Sequence, residues 1–586
     1  MAGYYQQGAD RRAVGFWAPR VLERVRALLN HPGCLPAILA LGGALRLAHL
    51  LALRSTLWFG NLDLDPAYFD AWGQRIAAGD WLGSQTFFVD PLYPYFLGAL
   101  YALFGYSLMV VRLAQLGIGL CTIVLVFELG KRLGGRAIGL VAAFGYAVYG
   151  PAIFNELEVE KTALATFFLL AAVTLVLRKS SKAAFFGGVV LALGVLCRGN
   201  ILALVVPLGL YLLLREKRWN VRGVFPFLAG CCLILLPVLW RNHYVGGEYV
   251  LTASIGQNLY QGNNPDNTSG NYGQVPFVRA SPEFEELDYR AEAEARVGQE
   301  LTPGQVSSYW ATEAWRHMRS NPGFAALMMW RKLELVLNNY EVPDNQDYYF
   351  LSGYSPVLRL TPLSFGWLLP LAALGILSSW RQRESRLIAA VLLIYAAAVV
   401  AFFVAGRFRL PAVPFLVIYA ALGLGWLIRQ ATAPKRRRVT LVLAAVWLVV
   451  CAAFTFQELP FQDRQATIVL SWRNLASLQA RVGRFADAAG SYERALALQA
   501  DSDLLNGEVA LVYLELGRLD AAERALVRAT ELNPDLIDAW VILGQLYEGT
   551  DRTQLAVAAF QRAVTLDPTD ATLRSHLADI QKASTQ

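Results

Sequence analysis

The sequence predicts an all-helical protein that crosses a membrane many times and ends in a stack of helical repeats. Of its 586 residues, 55% are apolar and only 17% are charged, which is far from a soluble average. Long apolar segments recur from residue 35 to residue 456, and a repeating pattern fills the tail. We expect an N-terminal segment at 1–34, a membrane domain at 35–456 and a repeat domain at 457–586.

Eleven segments of the membrane domain are apolar and approach the length of about 17–25 residues that crosses a bilayer. We expect eleven transmembrane helices, at roughly 35–54, 107–130, 137–155, 160–177, 183–197, 200–214, 223–240, 363–379, 387–405, 410–428 and 439–456.

Basic residues set the orientation of these segments. With the N-terminus in the cytoplasm, every loop on that side is rich in Lys and Arg, as the positive-inside rule requires. This pattern explains the net charge of +7 without nucleic acid as a partner. It predicts a protein of the bacterial inner membrane whose N-terminal segment carries an amphipathic helix, at 17–30, on the cytoplasmic surface. The basic loops are 131–136, 178–182, 215–222, 381–386 and 429–438.

Three larger pieces then lie on the periplasmic side: loop 55–106, loop 241–362 and the tail. Loop 55–106 is rich in aromatic residues, which prefer the level of the lipid headgroups, so we expect short interfacial helices there. Loop 241–362 passes through a turn-rich stretch and then has a helical pattern from about 282 to 340. The six cysteines lie in or beside apolar segments without metal-ligand spacing, which indicates small buried side chains.

The tail repeats with a period of 34 residues. Trp472, Ala476, Gly483 and Tyr492 open a pattern that recurs twice, with small residues at fixed offsets. This pattern is typical of tetratricopeptide repeats and predicts three helix hairpins at about 469–570, followed by a capping helix. Stacked hairpins form a concave groove that suits a protein partner, although a structural or dimerising role is the alternative.

Carboxylates and cations are expected to meet on the outer face of the membrane. Acidic groups beside a membrane are costly to desolvate and are therefore functional candidates. The alternatives are hydrated turns for the acidic stretches and interfacial anchoring for the arginines. The groups are Asp63, Asp65 and Asp70 after the first span, Glu156, Glu158, Glu160 and Lys161 between the third and fourth, and Arg198, Arg241, Glu341, Arg407 and Arg409 elsewhere.

This region contains a set of short motifs: Asp65-Pro-Ala-Tyr68, Ile76-Ala-Ala-Gly-Asp80, Pro91-Leu-Tyr93-Pro, Arg241-Asn242, Gly262-Asn263 and Arg407-Phe-Arg409-Leu-Pro411. Together they resemble the C-type (GT-C) glycosyltransferases, in the branch of protein mannosyltransferases and aminoarabinose-transferase-like enzymes. The similarity extends over most of residues 35–430. The sequence departs from the family at Asp65-Pro66, where members often have Asp-Glu, and at Val89-Asp90, where some aminoarabinose-type members have Lys-Pro.

The resemblance implies an enzyme that transfers a sugar from a polyprenyl-phosphate donor to a hydroxyl of a protein, lipid or glycan outside the cytoplasm. It implies Asp65 as the catalytic carboxylate, because this residue occupies the matching place in the first outer loop. A base must take the acceptor proton, and cations must stabilise the leaving phosphate. We expect an inverting displacement with Asp65 as base, Glu158 and Glu160 as further catalytic candidates, and no cofactor.

The remaining site candidates are cations for the donor phosphate and residues for substrate binding. The phosphate candidates are Lys161, Arg198, Arg241, Arg407 and Arg409, and the substrate-binding candidates are Asp63, Tyr68, Asp70, Tyr93 and Glu341. A divalent metal held by Asp63 and Asp65 is an alternative, since hard cations prefer oxygen ligands. A non-catalytic membrane scaffold that acts through its repeats, and a ligase or polymerase of lipid-linked glycans, are the competing functions.

Overall fold

A computed structural model describes residues 31–215, 221–273, 275–279, 281–432 and 437–585. Within these ranges the regular structure is helical, apart from isolated bridges between Tyr149 and Leu363 and between Asn271 and Val404. The predicted amphipathic helix at 17–30 lies outside the described residues. The chain divides into two units, Met1–Phe461 and Gln462–Gln586.

Apolar helices dominate the first unit, as a multi-pass membrane protein requires. Every one of the eleven predicted segments contains a helix, but five described helices are long and apolar enough to cross a membrane alone, so the count of eleven stays a prediction. These five are Cys34–Arg54, Leu108–Gly134, Val221–Gly246, Arg383–Ala401 and Gly406–Thr432. Shorter apolar helices are Leu92–Phe104, Arg136–Ala147, Ser181–Cys197, Gly199–Leu214, Phe365–Ser379 and Val439–Thr455.

The third predicted span, 137–155, differs from a single straight helix. It consists of Arg136–Ala147 and Gly150–Leu157, because Pro151 lacks the N–H that a continuous helix needs and is suited to begin a new one. Gly150 permits the junction, since a Cβ there would lie 2.4 Å from the hydroxyls of Thr361 and Tyr348. Gly150–Leu157 then meets Thr162–Val176 at a bend of 116°. The bend leaves residues 158–161 as a short polar turn.

The two loops that the sequence pattern assigns to the outer side, called the outer loops, are themselves helical. Loop 55–106 contains helices Leu64–Ala77 and Leu92–Phe104, and loop 241–362 contains a longer series. Its three long helices each begin with a proline in the first turn, and Thr302 and Gln305 form a capping box at the middle one. The helices of this loop are Ile255–Asn263, Pro282–Val297, Pro303–Ser320, Pro322–Leu337, Tyr348–Ser352 and Pro356–Leu360.

The second unit consists of helix hairpins whose core is built largely from alanines and a few large side chains. Small residues such as Ala476 and Ala510, both fully buried, let neighbouring helices approach closely. This arrangement matches the predicted repeat with its capping helix. The helices are Arg464–Arg481, Phe485–Leu498, Asp503–Glu515, Leu519–Leu532, Ile537–Glu548, Thr553–Leu566 and Ala571–Thr585.

A buried ion pair joins the first apolar helix to the turn region of the membrane unit. Arg46 Nε lies 2.5 Å from Glu156 Oε2, and both side chains are almost fully shielded from solvent. Tyr146 donates to the other oxygen of Glu156 at 2.9 Å, and Arg46 also donates to the carbonyl oxygens of Gly42 and Ala147, each at 3.1 Å. Glu156 is therefore a structural member of the Glu156–Glu160 stretch.

We predict that Glu156→Gln destabilises the protein by about 3–5 kcal/mol, because it leaves a buried guanidinium without its counter-charge. Thermal unfolding in detergent measures this loss. The double variant Arg46→Met, Glu156→Gln should recover much of the stability, since it removes both charges. Glu128→Gln is the matched control, because its ion pair with Lys131 is half exposed. An equal loss in both single variants would contradict the assignment.

Candidate active site

Arg407 is the centre of the candidate site. It begins the last long apolar helix, and carboxylates from three separate parts of the chain surround its guanidinium group. Its Nη2 lies 2.6 Å from Asp65 Oδ2, its Nη1 contacts Glu160 Oε1, and its Nε lies 2.5 Å from Asp344 Oδ2. The contact with Asp344 is an ion pair without hydrogen-bond alignment. All three nitrogens of Arg407 thus face a carboxylate.

The backbone before Asp65 directs this residue into the cluster. Asp65 is the second residue of helix Leu64–Ala77, and Leu64 has a φ of +53°, which is unfavourable for a residue with a side chain. Pro66 follows in the first turn, where its missing N–H costs no hydrogen bond. The strained entry and the proline together fix the direction in which Asp65 points.

The carboxylates of the cluster differ in their proton affinity. Burial alone would raise the pKa of Asp65, but Arg407, with help from Lys161 and Asn345, outweighs burial and holds the pKa below its usual value. For Asp344, burial raises the pKa in spite of Arg407, and the charge of Asp65 raises it further. Asp65 is therefore the carboxylate that is held ionised and able to accept a proton.

An open cleft lies beside Arg407. Glu158, Glu160 and Glu341 from the sequence-based candidates line it, while Asp65 borders it through its neighbour Pro66 and its ion pair with Arg407. The complete lining is Pro66, Pro151, Phe154, Asn155, Glu158, Glu160, the stretch 341–346, Tyr348, Gly406 and Arg407.

Two further cations lie near the cluster. Lys161 forms an ion pair with Asp90 at 2.9 Å. Arg198 is 6% exposed, donates to Thr162 Oγ1 at 3.1 Å and lies 4.5 Å from the centre of the Phe408 ring. No carboxylate lies within ion-pair distance of Arg198 in the described part of the chain, and its Nε has no hydrogen-bond partner there. Arg198 can therefore bind an anion without losing an existing ion pair.

Arg241 and Arg409 stay outside the cluster and hold backbone segments. Arg241 donates to the carbonyl oxygens of Leu82 and Gln85 and stacks on Phe87. Arg409 pairs with Glu341 at 2.7 Å and donates to the Tyr340 carbonyl oxygen at 2.8 Å.

The other substrate-binding candidates are distributed along the first outer loop. Asp70 is buried and accepts from Tyr101 at 2.5 Å and from Gln74 at 2.7 Å. Tyr93 is fully buried and donates to Gln115 at 2.8 Å. Tyr68 is half-buried on the same helix as Asp65, and Asp63 directly precedes that helix. Their roles in substrate binding stay predictions.

The sequence also allowed a metal ion at Asp63 and Asp65 as an alternative. In the structure a protein cation, Arg407, already contacts Asp65 Oδ2. Across the described ranges, no group of three or more His, Cys, Asp or Glu side chains is arranged to hold a metal ion.

Two family models match parts of the chain. Residues 89–240 match the family model described as dolichyl-phosphate-mannose-protein mannosyltransferase. This match covers about a quarter of the chain and lies within the first unit. Residues 473–535 and 508–571 match the tetratricopeptide repeat model. The predicted resemblance and the predicted repeats are confirmed, and the match supports a glycosyltransferase kind of function.

Individual relatives cover parts of the chain. The Hsp70-Hsp90 organizing protein of Triticum aestivum is 30% identical over 102 residues, which are 17% of this chain and 18% of that protein. The chain therefore spans about a fifth of the length of that curated relative. The first tetratricopeptide domain of Spaghetti (RPAP3), bound to an HSP90 peptide, covers 20% of this chain and 95% of its own, with 18% identity and a TM-score of 0.20.

The chain also has a partial likeness among solved structures of membrane enzymes. The oligosaccharyltransferase AglB of Archaeoglobus fulgidus, in complex with an inhibitory peptide and a dolichol-phosphate, covers 75% of this chain and 58% of its own. Its identity is 14% and its TM-score 0.39.

Sequence reasoning missed the contribution of the large outer loop beyond Glu341. Asp344, Asn345 and Gln346 all line the cleft, and Asp344 is an ion-pair partner of Arg407. The one available signal was the Pro343-Asp344-Asn345 sequence, which is typical of an ordinary turn. Nothing in the sequence indicated that this turn would meet a residue about sixty positions later.

Glu285 is a further acidic residue that the large loop brings toward the site. It accepts a hydrogen bond from Tyr272 at 2.5 Å. Burial raises the pKa of Glu285 to about 7, and the charges of Asp65 and Asp344 contribute to the rise. Its neighbour Tyr272 lies on the stretch that pairs with Val404, just before Arg407.

We predict that Glu285→Gln stabilises the protein at pH 8 and has little effect at pH 4.5. The folded state keeps the proton of Glu285 up to a pH of about 7, whereas an exposed glutamate loses it near 4.5. Stability from this group is therefore complete below pH 4.5 and is lost as the pH rises through 7. Melting temperatures at the two pH values measure the effect. Exposed Glu283, on the same helix, is the control, and an equal gain at both pH values would contradict the prediction.

Proposed function

We propose that the protein transfers a sugar from a polyprenyl-phosphate donor to a hydroxyl of an acceptor on the periplasmic side of a bacterial inner membrane. The observation that supports this proposal is the convergence of Asp65, Glu160 and Asp344 on Arg407 beside an open cleft. The matched family is named for transfer from a lipid phosphate. Such transfer needs a base and cations on the same side of the membrane.

In the proposed reaction Asp65 takes the proton of the acceptor hydroxyl while the hydroxyl oxygen bonds to the anomeric carbon of the sugar. The bond from that carbon to the phosphate oxygen breaks, and polyprenyl phosphate leaves with the bonding electrons. A single displacement of this kind inverts the configuration of the sugar. Arg407 orients Asp65 and keeps it ionised, because its Nη2 holds Asp65 Oδ2.

The proposed phosphate site lies at Arg198 and Lys161 rather than at Arg407. All three nitrogens of Arg407 already face carboxylates, so an anion would have to displace one of them. Arg198 has an unpartnered Nε among the described residues and is largely shielded from water, which strengthens its interaction with a phosphate. Lys161 has one partner, Asp90, and retains two further N–H donors.

We propose that the repeat unit recruits a protein partner or a protein acceptor. Leucines 470, 504 and 511 are exposed on the first helices of successive repeats, where a partner would cover them. Arg473 is engaged by Glu508 at 2.6 Å, and acidic residues outnumber basic ones in this unit. An apolar segment flanked by basic residues is the partner chemistry that this surface favours.

We predict that Asp65→Asn lowers sugar transfer by about 10²–10⁴-fold, because the amide no longer accepts the acceptor proton. The amide oxygen of the variant can still accept a hydrogen bond from Arg407, so the protein should fold. The assay incubates purified protein with radiolabelled polyprenyl-phosphate sugars and protein, lipid and glycan acceptors. It measures sugar transfer together with release of polyprenyl phosphate. Asp288→Asn, which removes an exposed ion pair with Arg279, is the control.

Equal activity of the wild type and Asp65→Asn would overturn the base assignment. Loss of activity on addition of EDTA would favour the metal alternative over Arg407 as the group that organises Asp65. A scaffold function predicts no transfer with any donor, and loss of the cellular phenotype only when residues 457–586 are deleted. Acceptance of oligosaccharide donors alone would indicate a ligase or polymerase.

We predict that Arg198→Gln lowers kcat/KM for the donor by about 10²–10³-fold, because the leaving phosphate loses a charged hydrogen-bond donor. Arg198→Lys should recover part of the activity, since it restores the charge without the planar geometry. Initial rates against donor concentration measure both. Arg132→Gln removes a cation paired with Glu384 and is the matched control. Unchanged donor kinetics in Arg198→Gln would move the phosphate site elsewhere.

A further inference from the structure

The stretch from Val342 to Asp347 is fixed at both ends along one wall of the cleft. At its start, Gly406 N–H donates to the carbonyl oxygen of Val342 at 2.8 Å. At its end, Asp347 caps a short helix and accepts from the N–H groups of Tyr349 at 2.7 Å and Phe350 at 3.1 Å. The backbone between these two points is therefore fixed along the cleft wall.

Asn345 lies in the middle of this stretch and has an unsatisfied donor. Its Nδ2 is shielded from solvent and lies close enough to Asp65 to lower the pKa of that carboxyl, but it is not aligned for a hydrogen bond with any described residue. The side chain also lines the cleft. A shielded N–H without an acceptor is costly to the folded state. A ligand oxygen that enters the cleft would remove this cost.

Glu158 supplies the complementary acceptor in the same cleft. Its carboxylate makes no hydrogen bond or ion pair within the described ranges, whereas its neighbours Glu156 and Glu160 are both paired. A sugar hydroxyl both donates and accepts, so adjacent hydroxyls match one free N–H and one free carboxylate. Phe154, Tyr348 and Pro151 provide apolar surface for the C–H faces of a ring.

Charge restricts the kind of sugar. Four carboxylates line the cleft, and one of them, Glu341, is paired with Arg409. Glu160 and Asp344 share Arg407 with Asp65, and Glu158 has no ion-pair partner in the described structure, so negative charge is in excess. A sugar with its own carboxylate would meet this excess negative charge and would be repelled. A neutral sugar would not.

We propose that Asn345 and Glu158 bind adjacent hydroxyls of a neutral sugar carried by the lipid donor. This inference rests on the proposed transferase function. Asn345 donates to one hydroxyl oxygen, and Glu158 accepts from the next hydroxyl. A site that hydrogen-bonds a hydroxyl rejects analogues without it, because its own polar groups are then left unpaired.

A purely structural role for Asn345 gives a different expectation. If the amide served to hold Asp65 or the loop, Asn345→Leu would lower the melting temperature of the ligand-free protein. If Asn345 instead donates its hydrogen bond to the ligand, the same substitution leaves the melting temperature of the ligand-free protein unchanged or raises it. The reason is that the substitution removes an unsatisfied donor. Asn242→Leu is the matched control and should lower it, because Asn242 makes four hydrogen bonds within the protein.

The binding experiment separates the phosphate from the sugar. Thermal stabilisation of the purified full chain is measured with polyprenyl phosphate, polyprenyl-phosphate mannose, polyprenyl-phosphate glucose and a polyprenyl-phosphate uronic acid. In the wild type, a neutral sugar should add to the stabilisation given by the lipid phosphate, and the uronic acid should not. Asn345→Leu should keep the effect of polyprenyl phosphate but bind the neutral-sugar donor roughly tenfold more weakly. Asn345→Ser, which retains a donor, should recover part of the binding.

The outcomes distinguish the two proposals. No stabilisation by any of the four lipids would overturn the transferase proposal and, with it, the sugar site. Stabilisation by polyprenyl phosphate without an added effect of either neutral sugar would overturn the sugar site alone. An added effect that persists unchanged in Asn345→Leu, or a lower melting temperature of that variant without ligand, would also overturn it.

Discussion

The membrane unit depends on one guanidinium group that three carboxylates share. Arg407 draws together the first outer loop through Asp65, the polar turn through Glu160 and the large outer loop through Asp344. These segments are far apart in the sequence, and each would carry an unpaired charge in a shielded place without the shared partner. Removing so many charges from water costs free energy. The attraction between each carboxylate and the shared cation offsets that cost.

This sharing also assigns different chemical roles to residues of the same type. Glu156, Glu158 and Glu160 alternate along five residues, yet they end in a buried structural pair, an open cleft and the Arg407 cluster respectively. The 116° bend between the flanking helices falls at this stretch, so the three glutamates do not continue along one helix. Arginines diverge in the same way: Arg407 organises carboxylates, Arg409 holds a loop, and Arg198 keeps a free donor within the described structure.

Much of this architecture was accessible from the sequence. Apolar length predicted a helix for every span, and the 34-residue period predicted the repeats, because both depend on local pattern. The association of Asp65, Glu160 and Arg407 was predicted from their common side of the membrane. The positions of Asp344, Asn345 and Glu285 were not predictable, because they depend on how a long loop folds back over the membrane unit. The broken third span was also missed, although Pro151 marks its second half.

The fixed ends of the stretch Val342–Asp347 have a consequence for evolution. Its anchors are backbone hydrogen bonds and a helix cap, which are separate from the side chains that face the cleft. Asn345 and Gln346 can therefore change identity without loss of the loop's path, in the way that antibody loops vary on a constant framework. A lineage that carries this loop can acquire a new sugar preference by a few substitutions while Arg407 and its carboxylates remain the same.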